Sequence, residues 1–166
     1  LEVRVMRWRT KVSAVLGSLA AVVLLSGCPY RSDVPLDSPA PADPRLVGQW
    51  REETSPTTAI YTVEADGATG YRITVKSEEN TVYKAFLTPL GDKTYVNLQE
   101  GSDTGSYSLF RLEIADDGAS FTLYPVTENI TEQFTDSAAL REFVTKYQDL
   151  SFFFEKPTQY VHADHP

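Results

Sequence analysis

The chain has 166 residues, a formal net charge of −8 and a pI near 4.7. Such an acidic balance repels phosphate backbones and excludes nucleic acid as a partner. With one cysteine there is no intrachain disulfide, so any domain must be held by its own apolar core, which a chain of this length can build.

The N-terminus is a leader. Arg4, Arg7, Arg9 and Lys11 form a basic start, followed by an uncharged segment of 15 residues, 12–26, rich in Val, Leu and Ala. A transmembrane helix needs about 20 apolar residues, so this segment is short for one, and it ends in small residues as a processed signal does. The chain opens on Leu1, and Met6 would begin a tighter leader, so residues 1–5 read as a start-site artefact. The run Leu25-Ser26-Gly27-Cys28 resembles the lipobox of bacterial lipoproteins. That resemblance implies that residues 1–27 are a signal peptide and that Cys28 is lipidated with diacyl or triacyl groups such as palmitate. Several chains make a stable membrane anchor where one is marginal. Position 29 is Pro rather than the Asp of the inner-membrane retention signal, which implies a cell-envelope location, on the outer membrane facing the periplasm if the cell is Gram-negative. The alternative is an uncleaved anchor helix with an incidental cysteine; both readings place the rest of the chain outside the cytoplasm.

Without residues 1–27 the chain keeps 11 basic and 22 acidic side chains, a net charge of −11. Anionic headgroups repel such a domain. Acidity of this kind also keeps an extracytoplasmic domain soluble and monomeric. Residues 28–45 read as the lipidated Cys and a Pro-rich tether: five of the ten prolines lie here, with almost no large apolar residues. A stretch of this composition favours extended polyproline conformations, and 17 residues at about 3.1 Å each would reach roughly 50 Å from the membrane.

From Leu46 onward short alternating segments separated by turn residues predict a domain over 46–166. The expected strands are residues 46–52, 59–64, 71–77, 81–88, 94–99, 107–114 and 120–126. Between them lie Asp66-Gly67, Glu79-Asn80, Gly91-Asp92, Gly101 to Gly105 and Asp117-Gly118, the turn chemistry that joins antiparallel neighbours. Apolar residues alternate with polar ones in Tyr71-Arg72-Ile73-Thr74-Val75-Lys76, and Phe110, Leu112 and Ile114 alternate with Arg111 and Glu113. The period then changes. Asp136 or Ser137 caps a helix running to about Asp149, whose Leu140, Phe143, Val144 and Tyr147 fall at i, i+3, i+4 and i+7 and form one apolar stripe. If the following Phe152-Phe153-Phe154 is extended, Phe153 faces away from its two neighbours, and residues 158–162 are placed to return as a short final strand. The fold class is therefore mainly β, an antiparallel meander of seven to eight strands with one C-terminal helix packed on it; closing the meander into a barrel removes its exposed edges.

Gly48-Gln49-Trp50 resembles the Gly-x-Trp signature of lipocalins, and the order of meander, late helix and short last strand is similar to theirs. The resemblance implies a lipocalin-like barrel of the calycin type, with Trp50 plugging its closed end and Gly48 allowing close packing. Lipocalins usually place an Arg near the last strand, over that Trp. Here the last Arg is Arg141, on the predicted helix.

No catalytic set emerges, so the chain reads as a binding protein rather than an enzyme, with no cofactor and no metal. His162 and His165 lie at the C-terminus, where a frayed tail is expected. The carboxylates fall in turns (Asp66, Asp92, Asp103, Asp116, Asp117) or at expected solvent positions (Glu52, Glu53, Glu78, Glu79). Gly101 to Ser106 is too poor in acids for a calcium loop and lacks the ending of a phosphate loop. The remaining clue is aromatic. Tyr61, Tyr71, Tyr83, Tyr95, Tyr107 and Tyr124 recur once per strand. Tyr suits both a strand and the wall of a pocket. Two functions follow: a barrel that holds a small apolar or amphipathic ligand, which requires a cavity of about 300 Å³ or more, or an acidic module that binds or inhibits a cationic envelope protein.

Overall fold

A computed structural model describes residues 29–54, 59–76, 80–101 and 105–164. Residues 1–27, expected to be a leader, and Cys28, Glu78, Glu79, Asp103 and His165 lie outside the described residues. Among the described residues there are nine strands: β1 (Arg31–Ser32), β2 (Gly48–Glu52), β3 (Ile60–Asp66), β4 (Gly70–Lys76), β5 (Thr81–Leu90), β6 (Lys93–Glu100), β7 (Tyr107–Ile114), β8 (Ser120–Pro125) and β9 (Thr158–His162). One helix, α1 (Ser137–Tyr147), separates β8 from β9.

All pairings are antiparallel. β2 to β8 run as a meander, β9 returns between β8 and β2, and the β7–β8 ladder completes a closed ring of eight strands. The short β1 lies outside the ring, on the edge of β7 at Tyr107 and Ser108. Turn chemistry sets the hairpins. Gly70 pairs with Asp66 across the β3–β4 turn, and a Cβ at Gly70 would stand 2.6 Å from the Asp66 carbonyl oxygen, so only glycine closes the turn this way.

Two cores result. One fills the ring with alternate side chains of every ring strand, among them Trp50, Tyr61, Tyr71, Val75, Tyr83, Leu87, Phe110, Phe121 and Tyr160. The other lies outside it, where α1 covers β5, β6 and β7: Leu140 and Val144 of the helix pack with Leu90, Tyr95, Leu109, Val126 and Phe153. Asp136 caps the helix, its carboxylate accepting the Ala139 N–H at 2.8 Å. Beyond the helix Gln148 Oε1 accepts the Tyr95 hydroxyl at 3.1 Å, and Asp149 pairs with Lys93 at 2.7 Å, fixing α1 to β6.

The tether expectation is corrected. Residues 29–45 lie along the barrel as a strap. Tyr30, Ser32 and Leu36 are buried, and Tyr30 and Leu36 join the outer core. Beside Leu36, a buried polar clasp holds the backbone: Asn97 Oδ1 accepts the Leu36 N–H at 2.7 Å, Thr88 Oγ1 donates to the Leu36 carbonyl at 2.9 Å, and Asn97 Nδ2 donates to Thr88 Oγ1 at 3.1 Å. The strap then crosses the end of the ring. Ala40 N–H reaches the Leu87 carbonyl and Ala42 N–H the Ala68 carbonyl. Asp43 caps a 3-10 turn, Pro44–Leu46, that puts Leu46 into the interior core. Arg45 pairs with the Asp43 carboxylate at 2.6 Å, and that hydrogen-bonded pairing holds the Asp43 carboxyl below the usual carboxylate range.

The Phe152-Phe153-Phe154 run is also not extended throughout. A 3-10 turn, Ser151–Phe153, buries Phe153 and turns Phe152 outward, and only Phe154 makes a strand-like bridge, to Val126.

Candidate binding site in the barrel interior

At the strap end the interior is sealed by Trp50. Its indole is fully buried, its Nε1–H donates to the Leu46 carbonyl at 2.9 Å, and the Phe121 ring meets it edge-on at 4.7 Å. His162 stacks on its other face at 3.9 Å and 23°. The frayed-tail expectation is thus corrected for His162, which is paired with Trp50 in the β2–β9 ladder and covers the indole from the last strand, where no Arg follows. Gly48 adopts φ +147°, a backbone conformation that side-chain-bearing residues rarely take, and this rather than crowding calls for glycine: a Cβ there would meet the His162 ring at 3.5 Å, an ordinary contact.

Of the six tyrosines singled out from sequence, Tyr61, Tyr71 and Tyr83 point into the ring. Tyr95 points outward into the α1 core, Tyr107 packs its ring against Phe86, and Tyr124 lies on the outer face beneath Arg111. The six therefore do not form one wall. A fourth interior tyrosine, Tyr160 on β9, was not singled out, although its spacing two residues before His162 and the expected final strand carried the signal. Tyr160 stacks on Phe121 at 4.9 Å and meets Tyr61 edge-on at 5.3 Å.

The polar tips of these rings are accounted for differently. The Tyr61 hydroxyl donates to Glu52 Oε1 at 3.0 Å, so Glu52, expected at a solvent position, is half-buried at the wall. The Tyr71 hydroxyl accepts the Asp43 N–H of the strap. Burial raises all four phenols, Tyr61, Tyr71, Tyr83 and Tyr160, above their ordinary value; the Glu52 charge adds to this at Tyr61 and Tyr160, and Glu100 at Tyr83. The phenols stay neutral in an apolar chamber, with the Tyr61 and Tyr71 hydroxyls engaged by Glu52 and the strap.

The space they leave is small. A cavity of about 90 Å³ remains, walled by Leu46, Val63, Ile73, Ala85, Val96 and Leu98 together with the tyrosines and their neighbours on β7 to β9, almost wholly apolar. Sites for drug-sized molecules run from about 300 Å³ upward, so the chamber falls short of the cavity expected of a barrel that encloses a whole ligand and leaves room only for a small ring or a short stretch of hydrocarbon.

A second recess lies outside the ring, between the end of α1 and the outer faces of β6 to β8, about 370 Å³ in volume. Arg111 forms its floor. The guanidinium sits 4.0 Å from the Tyr124 ring centre and 4.6 Å from that of Phe154, pairs with Glu113 at 3.0 Å, and leaves its buried Nε without a hydrogen-bond partner. Lys93 also borders the recess but is held by Asp149.

Among the described residues the turn carboxylates do not converge. Asp117 accepts its own turn's Ala119 N–H at 2.9 Å, and among the described residues no three His, Cys, Asp or Glu side chains gather as metal ligands. Among those residues too, no helix is long and apolar enough to cross a membrane. No protein-family model, curated protein or solved structure matches the chain.

Proposed function

We propose that this chain is a lipid-anchored, extracytoplasmic barrel protein with a non-enzymatic binding role, its ligand an amphipathic molecule that inserts a small apolar end into the ring. The observation that carries the reading is the Leu25-Ser26-Gly27-Cys28 run after a basic and apolar stretch, on a chain that bridges to its folded body from Pro29 onward and closes a barrel around an apolar chamber. The lipocalin resemblance supports it through Gly48 and Trp50 at the sealed end. A second reading is favoured by the chamber's size: at about 90 Å³ the ring excludes whole ligands of a few hundred daltons, so an acidic outer surface meeting a cationic envelope protein is the alternative mode of binding.

One preparation tests both. The full chain, expressed in a bacterial host and purified from membranes, is weighed denatured and native. The reading expects a denatured mass lacking residues 1–27 and carrying acyl groups on Cys28, and a native mass with an additional small molecule. An unmodified Cys28 overturns the anchor. An acylated chain without bound ligand leaves the protein-partner mode, which a salt-sensitive pull-down then supports or refutes.

A further inference from the structure

The chain joins the folded body, outside the ring, one residue after Cys28. Pro29 is bridged to Thr127, and the Tyr30 N–H donates to the Val126 carbonyl at 2.8 Å. On the opposite side of the same segment, the Thr127 N–H donates to the Phe153 carbonyl at 3.0 Å and Val126 is bridged to Phe154. Residues 126–127 are thus flanked by the chain's entry point on one side and the turn after α1 on the other. Neighbouring strands lie about 4.8 Å apart, which separates the backbones of Pro29 and Phe153 by about 10 Å. Phe152 is one further step of about 3.8 Å.

Phe152 is 73% exposed, more than any other large apolar side chain among the described residues. Its position is built rather than incidental to a loose loop. The 3-10 turn around it is closed by the Phe153 N–H on the Leu150 carbonyl at 3.0 Å, and burying Phe153 at 2% exposure obliges Phe152 to face out. Leu150, at the start of the same turn, is 38% exposed. An outward aromatic, with a leucine two residues before it, therefore stands about 14 Å along the backbones from Pro29, the residue that follows Cys28.

We propose that Leu150 and Phe152 are a membrane-seating patch: with Cys28 acylated, the barrel rests directly on the bilayer and Phe152 enters the boundary between headgroups and acyl chains. The proposal rests on the lipoprotein reading of Cys28. It replaces a domain held away from the membrane on a stalk by one with a fixed orientation. The chain's acidity directs this contact to zwitterionic rather than anionic lipid. Interfacial binding scales with the apolar area buried at the headgroup boundary, so these side chains add to an attachment the acyl chains already make stable and set the domain's orientation.

The test uses full chain purified from membranes and reconstituted in phosphatidylcholine vesicles, with or without brominated acyl chains. The variant is Phe152→Trp; once residues 1–27 are removed, Trp50 is the other tryptophan, and wild-type protein supplies its background. The expected result is that emission from the indole introduced at position 152 shifts to the blue and is quenched by bromine, with the buried Trp50 contribution little changed. An acylated variant whose introduced indole emits as in water and is not quenched overturns the seating patch and leaves the anchor intact. A chain whose mass shows no acyl group on Cys28 overturns both.

Discussion

Leu36→Ala separates a strap from a stalk. On a free Pro-rich stalk the change would touch nothing, and surface substitutions of that kind stay within about 0.5 kcal/mol. Here Leu36 has no exposed surface and belongs to the core shared by α1 and the outer face of β5 to β7. Truncating a fully buried leucine costs about 2–5 kcal/mol, from lost transfer energy together with the cavity left behind. The strap's backbone is fixed on both sides of the side chain by Asn97 and Thr88, so the site relaxes little and about 3 kcal/mol is expected. For a domain of this size each kcal/mol lowers Tm by about 3–5 °C, giving a fall near 10 °C. Urea denaturation followed by far-UV circular dichroism measures the same loss as a lower midpoint at unchanged slope. A change below about 0.5 kcal/mol would refute the claim that this segment is part of the fold.

Further expectations follow from the same contacts. Asn97→Ala leaves the buried Leu36 N–H without an acceptor and is expected to cost about 1–3 kcal/mol; combined with Leu36→Ala the loss should be less than additive, since both act on one clasp. Ala85→Val adds bulk to the wall of the 90 Å³ chamber, with an expected gain of about 1 kcal/mol and loss of any native-mass ligand; retained ligand would move the binding site outside the ring. Stability should hold up to about pH 10 and fall above it. Burial raises Tyr61, Tyr71, Tyr83 and Tyr160 above their ordinary 10.0, so unfolded tyrosines lose protons first and deprotonation draws the chain to the unfolded state. Denaturation midpoints taken across that range check the sign, and a midpoint that stays flat to about pH 12 would refute it.

The ring was legible because its strands obey one rule at a time. In β4 the alternation of Tyr71, Ile73 and Val75 with Arg72 and Lys76 marks an inner and an outer face, and β9 was placed by its position after the helix. The rule blurs in β5 to β7. There α1 and the strap cover the outer face, so Thr88, Tyr95, Asn97 and Leu109 are buried opposite an equally buried inner face. One tyrosine per strand therefore looked like a single wall, although Tyr95, Tyr107 and Tyr124 turn outward. The strap was hidden for a different reason. Its anchors, Tyr30 and Leu36, stand alone among prolines without helical or strand period, and Leu36 is held through backbone bonds to Asn97 and Thr88, more than 50 residues away. His162 was misplaced by closeness to the terminus, which says nothing of a ring that offers a buried indole for it to cover.

Amide hydrogen exchange on the full chain tests most directly whether the barrel and the strap of residues 29–45 are one body. The account expects the Leu36 and Ala40 amides, bonded to Asn97 Oδ1 and the Leu87 carbonyl, to exchange as slowly as the core amides of β5 and β6 and to accelerate together with them on adding denaturant. Exchange of those two amides at the rate of an unstructured peptide, while β5 and β6 remain protected, would contradict it.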